Sequence, residues 1–464
     1  MLKYDAVVIG GGLSGMTSAL LLSARGKKTA LIESGATLSP LMHGFDRRGV
    51  HFETGFHYGS YLGSGEVGRY IFDQLGLELE AARLPAEYDE VRLPTGRIVR
   101  LAYERKSLES NLIAEFPDEK EAIIAYLNAV SEAIKKSAFL NMHDTQNSGL
   151  NNAIDVLPTL QEVLDKYFRS EELKAVLSVT SVLHGTPPDK ISFALHCCAA
   201  GSLYESAWAI KGGGLAINRA FQAALEKNGV DIFLNSKALN IEEHNLQLKR
   251  IVCTDDKVFD CEICVSSIHP KRFLDIAPES VYRGAAKARL RKLEETPGFF
   301  SIYGIQKRSA AAKSNVFSLS DLNINAMFNP RDISDTYFMN FGGGMPQPIC
   351  AIAFSPLELW IRDTDYKEKK RYYQAKLVRA IEKAMPELID GAEFVAASTP
   401  ATQLSYTGYM GGYALQHDVR QTKITPMTKI KGLFITGQSV VLSGLLGAII
   451  SSLLTDRAIG REYE

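Results

Sequence analysis

The chain has little of what marks several large protein classes. Cysteine is sparse, with six in 464 residues at positions 197, 198, 253, 261, 264 and 350. So few in a chain of this size do not make a disulfide framework. Neither charge dominates: Lys and Arg total 52 against 53 Asp and Glu, and no basic tail appears, so nucleic acid is not an expected partner. No His-x-Glu or His-Glu-x-x-His set occurs, and the nine histidines are scattered, so no metal is expected. Internal repeats and low-complexity tracts are missing as well. One uncharged run, Leu433 to Leu454, is long enough to span a bilayer. It holds Gly437, Gly444, Gly447, Gln438 and four serines, and it turns from strand-like to helix-like near Leu445. We read it as a buried strand, a turn and a helix.

What is present is concentrated at the start. Asp5 to Ile9 is an apolar run suited to a strand buried on both faces, and Gly10-Gly11-Gly12-Leu13-Ser14-Gly15 follows as G-x-G-x-x-G. Met16 to Arg25 is helix-compatible and closes at Gly26, and Lys28 to Ile32 forms a second strand ending at Glu33. In this pattern Gly10 permits the tight turn, Gly12 leaves room for a pyrophosphate, and Gly15 lets helix and strand pack closely. The helix N-terminus favours the anion, and Glu33 lies where a carboxylate accepts ribose hydroxyls. Strand, glycines, helix, strand and acid in order predict a dinucleotide site. Its strand begins at the fourth residue, which leaves no room for a signal peptide and makes a cytoplasmic location the expectation.

A second dinucleotide fingerprint is lacking. Gly212-Gly213-Gly214 has Ile217 where a third glycine belongs, and Gly342-Gly343-Gly344 is followed by Met-Pro. Both read as structural turns or ligand-lining loops, against a two-dinucleotide reductase. Cys261-x-x-Cys264 lacks a partner pair and falls in a strand, where its thiols are expected on opposite sides.

Along the chain, Gly49 to Gly59 reads as a strand that breaks at glycine, and His57 follows the Gly55 break, where its side chain could reach a cofactor ring. Glu66 to Leu195 is predicted mainly helical: Pro117-Asp118-Glu119 opens a helix with Ile123, Leu127, Val130 and Ile134 on one face, and Ser170 caps another. Leu215 to Lys227 reads as a helix, Gly229 to Leu234 as a strand, Ala238 to Ile241 with Leu246 to Cys253 as a hairpin, and Cys261 to Ser267 as a buried strand. Pro270 to Gln421 mixes strands with a charged helix, Tyr366 to Met385. Arg283, Lys287, Arg289, Arg291 and Lys292 form a basic cluster backed by Leu290 and Leu293, from which peripheral membrane contact is an expectation beside that of a solvated face.

The fingerprint, Phe52 to Gly59, Lys211 to Gly214, the strand ending Val265-Ser266-Ser267, Gly432 to Ser439 and Gly444 to Ala448 together resemble the phytoene desaturase, carotenoid isomerase and retinol saturase family of FAD flavoproteins, within the amine-oxidase-like fold. The resemblance implies an α/β fold: a Rossmann-like FAD-binding domain of the glutathione-reductase-2 type with an inserted α+β substrate-binding domain. It implies FAD binding by 1–65, 205–275 and 425–464, with 66–204 and 276–424 forming the substrate region. The implied cofactor contacts are Gly10, Gly12, Leu13, Ser14, Gly15, Glu33, Ser34, Gly55, Phe56, His57, Ala238, Ser266, Gly437, Gln438, Leu446, Gly447 and Ala448.

Two departures stand out. Ser34 to Pro40 replaces the arginine-bearing loop found in many relatives, and Gln438 stands where many carry Asp. The expected activity is hydride exchange between the flavin and C=C or CH–CH bonds of a small apolar, carotenoid- or retinoid-like substrate held in an apolar tunnel. Residues 66–204 and Tyr406, Tyr409 and Tyr413 are expected to build that tunnel, and His57 is the candidate catalytic residue, as a proton donor. An amine or porphyrinogen oxidase on the same fold, with an aromatic cage from those tyrosines, is the alternative. A flavin-free lipid carrier is a third reading, opposed by the intact glycines and Glu33. The electron donor or acceptor stays open.

Overall fold

A computed structural model describes residues 1–137, 140, 158–307, 315–361, 364–421 and 423–463. Part of the stretch expected to be helical, 138–139 and 141–157, lies outside the described residues.

Ala6–Ile9 and Thr29–Ile32 are buried at every position, which is why they read as unbroken apolar runs. They are neighbours in a five-stranded parallel sheet with the order Asp231–Phe233, Thr29–Ile32, Ala6–Ile9, Ile263–Ser266, Leu433–Ile435. Strands distant in sequence therefore flank the first one. Two helices cover this sheet together, Leu13–Ala24 and Leu445–Tyr463. They are stitched by Ser14 Oγ donating to the Ala448 carbonyl (2.9 Å) and Ser452 Oγ donating to the Ser14 carbonyl (2.8 Å), with the Arg25–Asp456 ion pair (2.6 Å) further along. The uncharged C-terminal run is thus the expected strand, turn and helix. Among the described residues no helix is long and apolar enough to cross a membrane.

A seven-stranded sheet faces the first across a cleft, in the order Ala392–Ser398, Gly298–Gln306, Gln347–Ser355, Tyr337–Phe341, Asn315–Ser318, Glu87–Arg92, Ile98–Ala102. Two of its strands correct the sequence expectation, because Glu87–Arg92 and Ile98–Ala102 lie inside the stretch expected to be helical, as does the short strand Ala81–Arg83. The alternation of Ile98 to Ala102, with Val99 and Leu101 fully buried and Ile98 and Arg100 exposed, carried that signal. Helices Arg105–Glu115, Lys120–Lys135, Leu160–Tyr167 and Glu171–Ser178 pack in one apolar core with this sheet, the second presenting Ile123, Leu127, Val130 and Ile134 as expected. Ser170 Oγ accepts the Leu173 amide at the start of the fourth. Helix Val67–Gln74, by contrast, packs in the core under the five-stranded sheet, with Ile71 and Phe72 beside Ile217 and Phe221.

The extra glycine runs are structural. Gly213 (φ +58°) begins helix Gly213–Lys227, and a β-carbon there would stand 1.8 Å from the Glu53 carboxylate, which accepts the Gly214 amide at 3.1 Å. Gly342 to Gly344 lie in the connection between Tyr337–Phe341 and Gln347–Ser355. The cysteine pair departs from expectation: Cys261 precedes strand Ile263–Ser266, so it packs in the same apolar cluster as Cys264 and Cys253 instead of facing away. In the basic cluster, Lys287 pairs with Glu279 and Arg291 with Asp275, while Arg283, Arg289 and Lys292 stay exposed.

Candidate active site

A cavity of about 580 Å³ opens immediately beyond the carboxyl ends of the parallel strands, where the strand order reverses direction. Four strand ends feed it: Gly10 to Ser14 after Ala6–Ile9, Glu33 and Ser34 after Thr29–Ile32, Ser267 to His269 after Ile263–Ser266, and Gly437 and Gln438 after Leu433–Ile435. Each glycine of the fingerprint has its expected job. Gly10 sits at φ +100°, and a β-carbon would lie 2.6 Å from Ser267 Oγ. Gly15 touches the first strand's end so closely that a β-carbon would meet the Gly10 carbonyl at 1.8 Å. Gly12 has nothing within 4 Å of where a β-carbon would be, and it caps helix Leu13–Ala24, leaving an open cradle at a helix N-terminus. That is the shape and polarity a pyrophosphate requires.

The Glu33 carboxylate is buried and accepts the amides of Gly11 and Gly35, both at 2.6 Å, and Ser34 Oγ at 3.0 Å. It clamps the glycine turn while lining the cavity where a ribose would lie. The unusual 34–40 loop folds over the same turn: the Ser39 amide donates to the Gly11 carbonyl (2.8 Å), and Asn218 Nδ2 donates to the Leu38 carbonyl (3.0 Å). Where relatives are expected to carry an arginine in that loop, this cavity draws its cations from Lys237 and Arg272.

Leu13, Ser14, Glu33, Ser34, Gly55, Phe56, His57, Ala238, Gly437, Gln438 and Ala448 line the cavity with Gly10 and Gly12, as inferred from sequence. Four inferred residues do not. Gly15 acts through packing; Ser266 is fully buried in its strand, and the neighbouring Ser267 reaches the cavity instead. Leu446 packs on Gly68, and Gly447 lies against the Leu442 carbonyl, so Gly444 and Leu445 take their places in the lining. A helix turns its side chains through about 100° per residue, so a one-residue error moves a contact off the cavity. Gly437 (φ +119°) is held by its amide donating to Ser451 Oγ at 2.9 Å, and Gln438 Nε2 donates to the Tyr409 hydroxyl at 3.4 Å.

The other wall comes from Val182, Leu183, Phe299, Phe338, Ile352, Tyr406, Tyr409 and Tyr413. The three tyrosines and the segment 66–204, which supplies Val182 and Leu183, were expected here; Phe299, Phe338, Ile352 and His269 were not singled out, and no local motif marks them. Burial pushes the Tyr409 hydroxyl up to about 12 and raises Tyr413 further, so both stay protonated. His57 sits 6.2 Å from Phe338, ring centre to ring centre, and burial brings it down to about 4, against a smaller opposing effect from a hydrogen bond to Asn340. His269 lies 5.3 Å from Tyr409, ring centre to ring centre, tilted by 32°, and is also held near 4 by burial. Both rings keep a buried nitrogen without a hydrogen-bond partner, Nδ1 of His57 and Nε2 of His269, polar atoms ready for a ligand.

The cavity therefore fits a flavin dinucleotide: an open glycine cradle, a buried acid at the second strand's end, and unpartnered ring nitrogens on the lining. Such a cleft, built from the first and last turns of the polypeptide, defines the α/β oxidoreductases with a Rossmann-like flavin-binding domain and an inserted substrate domain.

The comparisons agree. Residues 8–75 match the model described as an NAD(P)-binding Rossmann-like domain. All-trans-retinol 13,14-reductase of Rattus norvegicus is 25% identical, covering 98% of this chain and 86% of its own. Hydroxyneurosporene desaturase of Rubrivivax gelatinosus is 26% identical over 49% of this chain and 46% of its own. A triple mutant of putrescine oxidase has the same fold at a TM-score of 0.66 and 14% identity, covering 99% of this chain and 98% of its own. These relatives support the resemblance to the phytoene desaturase, carotenoid isomerase and retinol saturase-like flavoprotein oxidoreductases that the sequence motifs carry.

Proposed function

We propose that the chain is an FAD-dependent oxidoreductase that exchanges hydride with C=C or CH–CH bonds of an apolar polyene or isoprenoid, carotenoid- or retinoid-like. The observation that carries this is continuity: one cavity joins the glycine cradle to a wall of Val182, Leu183, Phe299, Phe338 and Ile352. A retinol reductase and a hydroxyneurosporene desaturase among the relatives support a conjugated apolar substrate. FAD, when bound, supplies the centre that gives or takes the hydride.

The chain's own residues do the rest. The amides of the glycine turn and the N-terminus of helix Leu13–Ala24 would hold the pyrophosphate, and Glu33 the ribose. The apolar wall orients a substrate that offers no polar handles and keeps water from the reacting bond. His57 is neutral at pH 7, because burial holds it near 4, so it suits a proton-accepting role better than the donor role expected from sequence. The exposed Arg283, Arg289 and Lys292 offer a peripheral membrane contact through which such a substrate could be delivered.

Anaerobic photoreduction of the purified protein, followed by reoxidation with retinoids, carotenoids and quinones, tests the proposal. Reoxidation by a polyene with conversion of its double bonds is the expected result. Tyr406, Tyr409 and Tyr413 all line the cavity, which favours a second reading, an amine oxidase. Reduction by amines with peroxide release, and no response to polyenes, would establish that one instead.

A further inference from the structure

One rung of the seven-stranded sheet runs from the cavity into the protein interior. Ser301 pairs with Ile352, Ile352 with Phe338, and Phe338 with Phe317, on strands that lie side by side. Residues directly opposite each other in a sheet point to the same face, so these side chains stand in a row. Phe299 and Phe354 form a second pair on that face, two residues along the same two strands. Their rings stack at 5.5 Å, and those of Phe317 and Phe338 lie 4.8 Å apart, centre to centre.

The large cavity covers only the first part of this row. Ser301, Ile352, Phe338 and Phe299 line it, together with Val182 from the short helix Val179–Leu183. Phe317, Met327 and Phe354 do not reach it; they bound a second void, of about 10 Å³. The other side of that void is made by Val182, Phe299, Phe338 and Ile352 again. These four side chains touch both spaces and so form the partition between them.

The void has the room of a single water, and apolar walls of this kind stay dry. Interiors otherwise pack closely, since an unfilled gap forfeits dispersion contacts. The partition is held in place by strand register and ring contacts, with unfilled space behind it. An apolar chain entering the cavity end-first offers no polar group by which its depth could be fixed. It goes in until the walls close.

We propose that Val182, Phe299, Phe338 and Ile352 are specificity-determining residues that close the buried end of the substrate tunnel and set the longest apolar chain it accepts. That the occupant is a substrate rests on the flavoenzyme function above; the closed end does not.

The test is a ladder of isoprenoid alcohols, geraniol, farnesol, geranylgeraniol and geranylfarnesol, each one isoprene unit longer, bound to the purified full-length protein and followed by calorimetry. Each added unit should tighten binding until the chain meets the partition, where the gain stops. In Phe338→Ala the two spaces join and the stop should move to a longer alcohol, raising the affinity ratio across the wild-type stop about tenfold. Val182→Ala opens the same partition from the helix side and should move the stop in the same direction. Phe300→Leu is the control: Phe300 is fully buried on the opposite face of the same strand as Phe299, and its variant should leave the stop in place. A folded Phe338→Ala protein with the wild-type stop overturns the proposal, as does an equal shift in Phe300→Leu. If Phe338→Ala does not fold, an unmoved stop in Val182→Ala overturns it. Wild-type protein that binds no member, or binds every longer member more tightly without a stop, overturns it as well. Flavin absorbance and polyene conversion on the same samples separate the two claims. A moved stop in protein that never takes up flavin removes only the flavoenzyme function, and an unmoved stop in flavin-loaded protein that converts polyenes removes only the partition.

Discussion

The two walls of the cavity are made differently. The nucleotide wall is mostly backbone: glycines, strand ends and a helix N-terminus, within thirty or so residues of one another around Gly10 to Glu33 and again at Gly437 to Ala448. The substrate wall is side chain, gathered from Val182, Phe299, Phe338, Ile352 and Tyr413, on elements far apart in sequence. A backbone site tolerates no β-carbon where the cofactor or a neighbouring strand must come close, so its sequence is constrained to glycine. A side-chain site needs only apolar volume, which many residues supply. The comparison teaches that cofactor and substrate should respond separately to substitution.

The sharpest way to break that comparison is within the fingerprint itself. Gly15→Ala forces a contact of 1.8 Å with the Gly10 carbonyl and should cost about 2–4 kcal/mol of stability together with flavin binding. A β-carbon at Gly12 meets nothing within 4 Å, at φ −74°, so Gly12→Val should leave thermal unfolding nearly unchanged while lowering flavin affinity about 100-fold or more, about 2.7 kcal/mol. Melting curves and flavin absorbance on the same two proteins decide; equal stability losses would mean that Gly12 has no cradle role.

Acid should distinguish the walls next. His184 and His196 are buried in the substrate-side helical region, hydrogen-bonded ring to ring at 3.1 Å, with His417 near them. Burial holds His196 at about 3 and His417 at about 4, and lowers His184 well below the ordinary value of 6.5. The unfolded chain takes up protons near 6.5 while these folded rings do not, so they favour the fold above that pH, and stability falls as pH drops from 6.5 toward 4. Each contributes a slope of up to about 1.4 kcal/mol per pH unit. Asp89 has the opposite sign. Burial raises it from 3.8 to about 6, so its charge weakens the fold as pH rises through that range, offsetting part of the histidine effect. Denaturation followed from pH 8 to 4 should show a smaller loss in His196→Phe than in the wild type.

On the substrate wall, Phe299→Ala should raise KM about 10- to 100-fold, the equivalent of about 1.5–3 kcal/mol of lost burial, with the flavin spectrum unaltered. The smallest effect belongs to Glu33→Gln. It keeps the shape but puts an amino group against the Gly11 or Gly35 amide, both now 2.6 Å from a carboxylate oxygen. Flavin affinity should fall about tenfold, or roughly 1.4 kcal/mol, with turnover of the bound enzyme unchanged. A larger change in turnover than in affinity would move Glu33 out of the ribose site.

The outcome of the sequence expectations follows the same division. The strands Ala6–Ile9, Thr29–Ile32, Ile263–Ser266 and Leu433–Ile435 were legible because strands buried on both faces read as continuous apolar runs. Glu87–Arg92 was missed because its charged alternation is no more strand-like than the helices around it; its pairing with Asn315–Ser318, over two hundred residues away, makes it a strand. Ser266, Leu446 and Gly447 were each placed one or two residues from the true lining, since a local pattern locates a turn but not the direction in which its side chains point.

By itself, then, the order of residues determined a nucleotide cradle, because glycine is the one residue that lets backbone approach backbone, and a buried parallel strand admits little but apolar side chains. Only the folded chain decided what faces that cradle. The apolar wall, the paired rings of His269 and Tyr409, and the buried polar row Asp89, Asn315 and Asn340 depend on contacts and strand register between segments far apart in sequence, and no local pattern encodes a register.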